Sequence, residues 1–540
     1  MKRIYSLAIM LLSMTPLLAQ ETYENAKIIN EDLNGTARYV GMGGAMEALG
    51  ADISTIGSNP AGVGLFRKSS VSMSFGAVFQ QDAKSFSDAN KANLSFDQVG
   101  FVYSNQTGAN SYINLGVNYH KSRNFDYILS ASDALNNASQ NSLSFAKAIG
   151  KDDDNGATIL NIEETSSGLY GVDPWTSQLD NLYYNNFLIE QDGSAGWNVA
   201  SGYDFNRAHK GYVGEFDLNL SGNINGRVFL GLTVGIHDVH YKGYSEYKEE
   251  LVNYQDKPIG SVTVVDQRKI TGAGFDIKIG GIFRPVEESP FRIGLYAATP
   301  TWYDLKTENR THMVNNTYIK PYNSNFIQSN GYKFKLYTPW KFGMSIGHTV
   351  GNYLALGASY EYSDYGKTDT RIKDGDAYYD WYGDYHDPSS SDRVMNDHTE
   401  KTLKGVSTVK LGMEYKPFDE MAVRFGYNYI SPMYNKDGYK DGTLDSYGSN
   451  YSSATDFTNW EATNRITCGL GYTIGQLSLD LAYQYSVSNG SFKPFMDSWG
   501  NFNYIDTDGQ RKTDMIDSYP GSTKVSNKRH QLLFTVAYKL

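Results

Sequence analysis

The chain has 540 residues, and 48 basic against 59 acidic side chains give a formal charge of -11. This acidic balance does not suit binding to a phosphate backbone, so nucleic acid is not an expected partner. Apolar residues make up 40% and mean hydropathy is -0.47, which excludes a polytopic helical membrane protein, while 53 glycines and 43 tyrosines favour a large β protein.

The residue types that carry chemistry are sparse. A single cysteine, Cys468, excludes an intrachain disulfide, and the sequence has no Cys/His cluster with the spacing of a metal site. Neither a Gly-x-Ser-x-Gly elbow nor a His-Glu-x-x-His helix occurs in the sequence. We therefore expect no enzyme activity, no cofactor, no catalytic residue and no metal site.

The N-terminus has the pattern of an export signal. Lys2 and Arg3 precede an apolar stretch that ends at Ala19 before polar Gln20. A membrane anchor would need about 20 apolar residues, and this stretch is shorter. Residues 1–19 are predicted to be a cleaved secretory signal peptide.

Strict alternation of polar and apolar residues dominates the chain after residue 70. Glu215 and Asp217, for example, alternate with Phe216 and Leu218. A charge that faces lipid costs about 2 to 4 kcal/mol near the midplane, so this segregation favours a transmembrane barrel with an apolar outside and a polar lumen. Fourteen strands are predicted near residues 70–79, 95–104, 111–121, 212–222, 227–241, 270–284, 290–299, 338–348, 352–365, 402–415, 420–431, 463–474, 476–487 and 529–540.

A soluble β protein would also alternate, and the lengths of the connections separate the two cases. Short turns alternate with long polar loops, which is typical of outer-membrane barrels. We therefore predict an all-β antiparallel barrel over residues 70–540 in the outer membrane of a Gram-negative bacterium, in contact with lipid, lipopolysaccharide and, during insertion, the barrel-assembly machinery. The long extracellular loops are predicted over residues 122–211, 300–337, 366–401, 431–462 and 488–528.

Residues 20–69 do not alternate and are rich in small residues. Fourteen strands enclose a lumen about 28 Å across, which is open unless the chain fills it. Small residues allow close backbone packing, so this segment is predicted to be a compact hatch inside the lumen. Its marked residues are Gly41, Gly43 and Gly44, and the motif Asn59, Pro60, Ala61 and Gly62.

Several stretches resemble the FadL/OmpP1/TodX family of outer-membrane transporters for hydrophobic compounds. They are residues 37–45, 59–62, 299–305, 338–343 and 360–365. The resemblance implies a fourteen-stranded barrel with an N-terminal hatch and passive uptake of long-chain fatty acids or similar apolar molecules. It also implies capture at the outer mouth, a pocket beside the hatch and release through a lateral gap, with the Asn-Pro-Ala motif at Asn59, Pro60 and Ala61.

Other residues leave alternatives open. A fatty carboxylate needs a cation, and Arg38, Arg310 and Lys320 are available without a choice among them. The aromatic run from Tyr378 to His386 suits contact with a ligand, a partner or lipopolysaccharide, which keeps an adhesin or a secretion-complex subunit as the rival function. Residues 130–150 have helical character, and residues 152–156 and 506–509 are interpreted as turns rather than calcium loops. Haem uptake is a further alternative, based on His237, His240, His312, His386 and His398.

Overall fold

The structure is a computed structural model. It describes residues 22–160, 162–164, 170–172, 177–188, 196–253, 255–318, 327–328, 331–375, 377–440, 454–506 and 508–540. The predicted signal peptide, residues 1–19, lies outside this part of the chain.

Fourteen antiparallel strands close into a barrel, which confirms the predicted fold class. Each strand pairs with its neighbours in sequence, and the last strand pairs with the first from Ser70 opposite Lys539 to Gln80 opposite Arg529. The barrel strands are β1 (Ser70–Gln80), β2 (Ala92–Gly108), β3 (Ser111–Asn124 and Tyr127–Ala138), β4 (Val199–Ile224), β5 (Val228–Val252), β6 (Pro258–Phe283), β7 (Arg292–Ala298 and Trp302–Thr317), β8 (Tyr332–Tyr337 and Lys341–Val350), β9 (Leu354–Asp364 and Asp369–Lys373), β10 (Gly405–Phe418), β11 (Met421–Ile430), β12 (Phe457–Ile474), β13 (Leu477–Lys493) and β14 (Thr523–Lys539).

Helices and short strands lie in the N-terminal segment and in the long loops. The helices are α1 (Thr22–Ile29), α2 (Ala37–Gly41), α3 (Gln140–Lys147), α4 (Gln178–Tyr183) with a π-helical turn (Tyr184–Leu188), and α5 (Arg393–Thr402), and the 3-10 turns are Ile53–Gly57, Pro60–Leu65 and Tyr365–Lys367. The short loop strands are Ile149–Asp152, Thr158–Leu160, Ile162–Glu164, Tyr170–Val172, Ile327–Gln328, Tyr378–Tyr379, Tyr385–His386, Ser389–Ser391, Asn501–Ile505 and Arg511–Met515. In the described ranges, no helix has the length and apolar content needed to cross a membrane.

The two faces of the barrel wall differ in polarity. On β4, Phe216 and Leu218 are 39% and 46% exposed on the outside, whereas Glu215 and Asp217 are buried in the lumen. An apolar outer face suits contact with the hydrocarbon core of a membrane. Closure of the barrel leaves no strand edge with unpaired backbone groups in that core. The barrel therefore spans a membrane.

Several strands extend further than the alternation predicted. β4 begins at Val199 rather than near residue 212, and β5 continues to Val252 rather than ending near residue 241. In the extension of β5, charged Lys248 and Glu250 point outwards while Tyr247 and Glu249 are buried. Charged outer residues place these extensions beyond the lipid, where the apolar-outside signal no longer applies. Residues 302–317, predicted as loop, are likewise strand.

The long loops fold into a compact cap over one end of the barrel. β3 continues as a strand through Ala138, so only the later part of the predicted helical stretch is helical, as α3. α3 and α4 pack against the extended strands. The fully buried aromatic side chains of this cap are Phe145, Tyr183, Tyr184, Phe205, Phe492 and Phe495.

The segment from Thr22 to Phe66 lies inside the lumen. α1 lies near the end of the long loops, where Thr22 contacts Thr399 of α5 at 2.8 Å. α2 and the 3-10 turns Ile53–Gly57 and Pro60–Leu65 lie near the opposite end of the barrel, where short turns connect the strands. The segment thus runs along most of the lumen from the capped end to the short-turn end.

Candidate functional site

The part of the N-terminal segment from Met42 to Ala61 packs directly on the backbone of the barrel strands. Glycines on seven consecutive strands, β5 to β11, point into the lumen, and a Cβ at each would press on this segment or on a side chain beside it. Six of these glycines lie directly opposite another one on a neighbouring strand. The pairs are Gly231 with Gly280, Gly347 with Gly357, Gly357 with Gly412, and Gly412 with Gly426. We call this set the glycine girdle: Gly231, Gly280, Gly294, Gly347, Gly357, Gly412 and Gly426.

The motif residues Asn59 to Gly62 form a buried turn against the girdle. The side-chain oxygen of Asn59 accepts the amide of Ala61 at 3.2 Å and caps the 3-10 turn that begins at Pro60. Its side-chain nitrogen donates to the Glu47 carbonyl at 2.9 Å. Both bonds are sealed from solvent, since Asn59 is fully buried.

The marked glycines of the segment lie at close approaches. Gly43 and Gly44 have φ of +63° and +79°, a conformation that L side chains rarely adopt. A Cβ at Gly41 would lie 3.3 Å from the Cα of Gly469 on β12. These glycines allow the segment to turn while it stays against the wall. Whether they contribute to gating remains a prediction.

Buried ion pairs hold this segment to the wall. Lys410 of β10 lies 2.7 Å from Glu47 and 2.8 Å from Glu361. Arg38 binds both oxygens of Glu414, at 2.9 and 3.0 Å. Arg38 is therefore committed to the barrel wall and does not line the larger cavity described next.

A cavity of about 180 Å³ lies between α1 and the strands β3, β4, β5 and β11 to β14. Its upper part is aromatic: Tyr23 stacks on Tyr434 with ring centroids 5.3 Å apart and lies 5.1 Å from Phe457. We call it the outer cavity. Its other aromatic residues are Phe125, Tyr127, Tyr241 and Trp460.

Three arginines and one aspartate meet in the outer cavity. Asp32 lies 3.1 Å from Arg123, 3.5 Å from Arg465 and 3.6 Å from Arg529. The Nε atoms of Arg123 and Arg529 are buried without a hydrogen-bond partner. We call Arg123, Arg465 and Arg529 the arginine trio. Burial opposes the charge of Asp32, but the trio outweighs it and lowers the pKa of this carboxyl to about 2.

The other charged groups along the outer cavity are closer to balance than the arginine trio. Glu24 lies 2.6 Å from Lys27 and 2.9 Å from Arg268. Burial opposes the charge of Glu24, but Arg268 and Lys27 outweigh it and hold its pKa well below the usual range. Arg207 binds both oxygens of Asp456, at 2.6 and 2.7 Å. The arginine trio, with three cations to one carboxylate, therefore carries the larger excess of positive charge.

A second cavity of about 110 Å³ lies between Asp32 and the glycine-packed segment. We call it the inner chamber. Asn30 and Asp32 line both cavities, so residues 30–35 form the partition between them. The inner chamber is mostly polar, and Ser54, Gly57 and Ser58 of the N-terminal segment line its far side.

The sequence did not single out the arginine trio. Arg465 and Arg529 lie in the first residues of the strands predicted over 463–474 and 529–540. The alternation places both side chains on the lumen face of their strands, and this position was the sequence feature that could have identified them. Of the predicted cations, Arg310 is exposed on β7, and Lys320 lies outside the described residues.

Histidines and carboxylates form a separate buried cluster on the wall. His237 lies 3.1 Å from Asp276, and His120 lies 3.5 Å from Glu215. Their ligand atoms are close enough to hold a cation, but the ammonium of Lys278 already sits among these carboxylates and pairs with Glu215. The Lys278 ammonium thus occupies a position among the three carboxylates that a cation would take.

The aromatic run from Tyr378 to His386 is a hairpin. Trp381 and Tyr382 at its tip are 96% and 87% exposed.

The two Asp-rich loop stretches are turns, as predicted. Asp153 and Asp506 each accept two backbone amides of their own loops, as turn residues do.

Comparisons with known proteins give structural likeness only. No family model and no curated protein matches the sequence. A Pseudomonas aeruginosa FadL homologue and the Ralstonia pickettii toluene transporter TbuX are each 12% identical, with 94% of this chain and 99% of theirs covered and a TM-score of 0.47. The CymD monoaromatic hydrocarbon channel is 10% identical, with 95% and 99% covered and a TM-score of 0.46. At these TM-scores the likeness carries no argument about function. The chain is similar to FadL homologues and hydrocarbon channels, the proteins that its N-terminal motifs also resemble.

Proposed function

We propose that this protein is an outer-membrane channel for passive uptake of hydrophobic small molecules, and that its ligands are acidic amphiphiles such as long-chain fatty acids. The outer cavity carries the proposal. It offers aromatic surface for an apolar chain and an arginine trio with a single carboxylate for an anionic head. Guanidinium groups bind carboxylates through paired hydrogen bonds, which a neutral hydrocarbon does not offer.

The N-terminal segment is proposed to act as a hatch. It fills the lumen at the glycine girdle, so a ligand in the inner chamber passes only when part of this segment moves. The Asn59 to Gly62 turn is proposed to be the rigid part of the hatch. Export through a cleaved signal peptide and contacts with lipopolysaccharide and the barrel-assembly machinery belong to the same proposal.

Uptake in cells that lack their own fatty-acid channel tests this function. Expression of the wild type is expected to raise uptake of labelled oleate. Arg465→Gln and Arg529→Gln are expected to reduce oleate uptake about tenfold, because each removes a charged hydrogen bond, while toluene uptake stays at the wild-type level. Arg310→Gln is the matched control, since Arg310 is exposed away from the cavity.

Two outcomes would contradict the proposal. If folded wild-type protein, shown by heat-modifiable gel mobility, gives no oleate uptake, fatty acids are not the cargo. If Arg310→Gln lowers uptake as much as Arg465→Gln, the arginine trio is not the ligand site.

The exposed hairpin supports a second candidate function, a surface interaction protein. Its indole and phenol rings at the tip are available to a partner. Replacing Trp381 and Tyr382 by serine is expected to leave oleate uptake unchanged, and loss of cell adhesion in this variant would favour the second function.

A further inference from the structure

We propose that the Asp32 carboxylate is an internal stand-in for the ligand's acidic head, and that a ligand anion taking its place on the arginine trio releases residues 30–35. This inference rests on the proposed function and adds how ligand binding opens the partition between the two cavities.

The charge at the trio leaves room for an anion. Three guanidinium groups face one carboxylate, so the group carries a net charge of +2 when Asp32 is in place. The side chains of Arg465 and Arg529 are only 7% and 15% exposed, and water therefore compensates this charge poorly. The Nε atoms of Arg123 and Arg529 have no partner while Asp32 is in place, and they are donors that a ligand carboxylate in a different orientation would satisfy.

The bonds that Asp32 makes to the trio are long. Its distances of 3.1, 3.5 and 3.6 Å to the three arginines exceed the roughly 2.7 to 2.9 Å of good charge-assisted bonds. The carboxylate is shared among three cations and is bidentate with none. A mobile ligand carboxylate is free to align with one guanidinium and form the paired geometry that Asp32 does not reach.

Other contacts attach the partition on either side of Asp32. Glu31 pairs with Lys341 at 2.6 Å, and the Asn34 side chain donates to Asp97 at 3.1 Å and accepts from Gln531 at 3.3 Å. The amide of Asp32 donates to the Ser122 carbonyl at 2.8 Å, and its carboxylate accepts the Asn124 amide at 2.9 Å. Asn34 donates to the Lys121 carbonyl at 3.1 Å. The partition has no regular secondary structure, whereas α1 and α2 on either side have their own anchors. Displacing Asp32 therefore removes the charged attachment at the centre of the partition, between the contacts of Glu31 and Asn34, while α1 and α2 keep their own anchors.

Hydrogen–deuterium exchange of the full barrel in nanodiscs tests this device. The probes are laurate and dodecan-1-ol, which share a chain length and differ in the charged head. Laurate is expected to speed exchange in the peptide that contains residues 30–35, because the Asp32 to Ser122 bond opens. Dodecan-1-ol is expected to leave exchange there unchanged.

Substitutions of Asp32 supply the second arm. Asp32→Asn is expected to bind laurate about tenfold more tightly than the wild type, because the competing charge is gone, and to exchange rapidly at residues 30–35 without ligand. Asp32→Glu retains the carboxylate and is expected to stay within about threefold of the wild type. Glu31→Gln is the matched control for laurate affinity, which it is expected to leave within about threefold of the wild type, since Glu31 is exposed and pairs with Lys341 at 2.6 Å outside the trio.

The outcomes separate the two proposals. If the wild type does not bind laurate, the proposed function fails. If it binds laurate while exchange at residues 30–35 is unchanged or slowed, the exchange of carboxylates fails and the function stands. If Asp32→Asn does not fold, by heat-modifiable mobility, the wild-type exchange experiment decides alone.

Discussion

The side-chain oxygen of Asn59 occupies the space that a Cβ at Gly280 would take. The same oxygen caps the turn at Ala61, so it cannot move away without breaking a buried hydrogen bond. The absence of a side chain at Gly280 on β6 therefore makes room for the Asn59 side chain of the N-terminal segment.

Gly280→Ala tests this fit. The added methyl group is expected to push the Asn59 turn off the wall and to lower the free energy of unfolding by about 1 to 3 kcal/mol, as overpacking does. Chemical unfolding of the refolded barrel measures it. Gly281→Ala is the control, because a Cβ there would point out of the lumen with its nearest neighbour 3.7 Å away. Equal losses in both variants would contradict the fit.

The double variant Asn59→Ala/Gly280→Ala separates overlap from loss of the cap. Asn59→Ala alone leaves the Glu47 carbonyl and the Ala61 amide without a partner and is expected to cost about 1 to 3 kcal/mol. With the amide gone, the methyl group at residue 280 has space. The double variant is then expected to be more stable than the sum of the single losses, by at least about 0.5 kcal/mol. Strict additivity would show that the two residues do not compete for space.

The ion pair between Glu47 and Lys410 fastens the same segment. Lys410→Met is expected to destabilise the protein by about 3 to 5 kcal/mol, because Glu47 is fully buried and is left with an uncompensated charge. Glu47→Gln/Lys410→Met removes both charges of this pair and is expected to recover part of that loss, since Glu361 still loses its contact with Lys410. Unfolding curves of the two variants provide the comparison, and an equally unstable double variant would refute the pairing.

The barrel was predictable because the membrane imposes one simple pattern. The alternation of outward Phe216 and Leu218 with inward Glu215 and Asp217 can be recognised without knowledge of tertiary contacts. Beyond the lipid that constraint ends. Lys248 and Glu250 then point outwards on a strand that continues, and alternation of apolarity no longer marks it.

The outer cavity was not predictable in the same way. Arg123, Arg465 and Arg529 lie on three strands far apart in sequence, and only barrel closure and the path of the N-terminal segment bring them to Asp32. Arg38 was a reasonable sequence candidate for the same role. The structure shows that Glu414 on β10 takes up its charge instead.

Glu249 links the outer cap to the barrel, and its replacement tests how firmly the cap is held. Its carboxylate accepts the hydroxyl of Tyr183 on the cap at 2.7 Å, that of Tyr247 at 3.0 Å and the amide of Gln140 at the start of α3 at 2.9 Å. Glu249→Ala leaves these buried donors without their acceptor and is expected to loosen the cap by about 1 to 3 kcal/mol. Limited proteolysis is expected to cut residues 139–188 faster by about tenfold or more, since cleavage follows the population of the open form. The neighbouring Glu250→Ala is the control, because Glu250 is 53% exposed and pairs with Lys248 at the surface. Unchanged cleavage in Glu249→Ala would mean that the aromatic core of the cap holds it closed without this carboxylate.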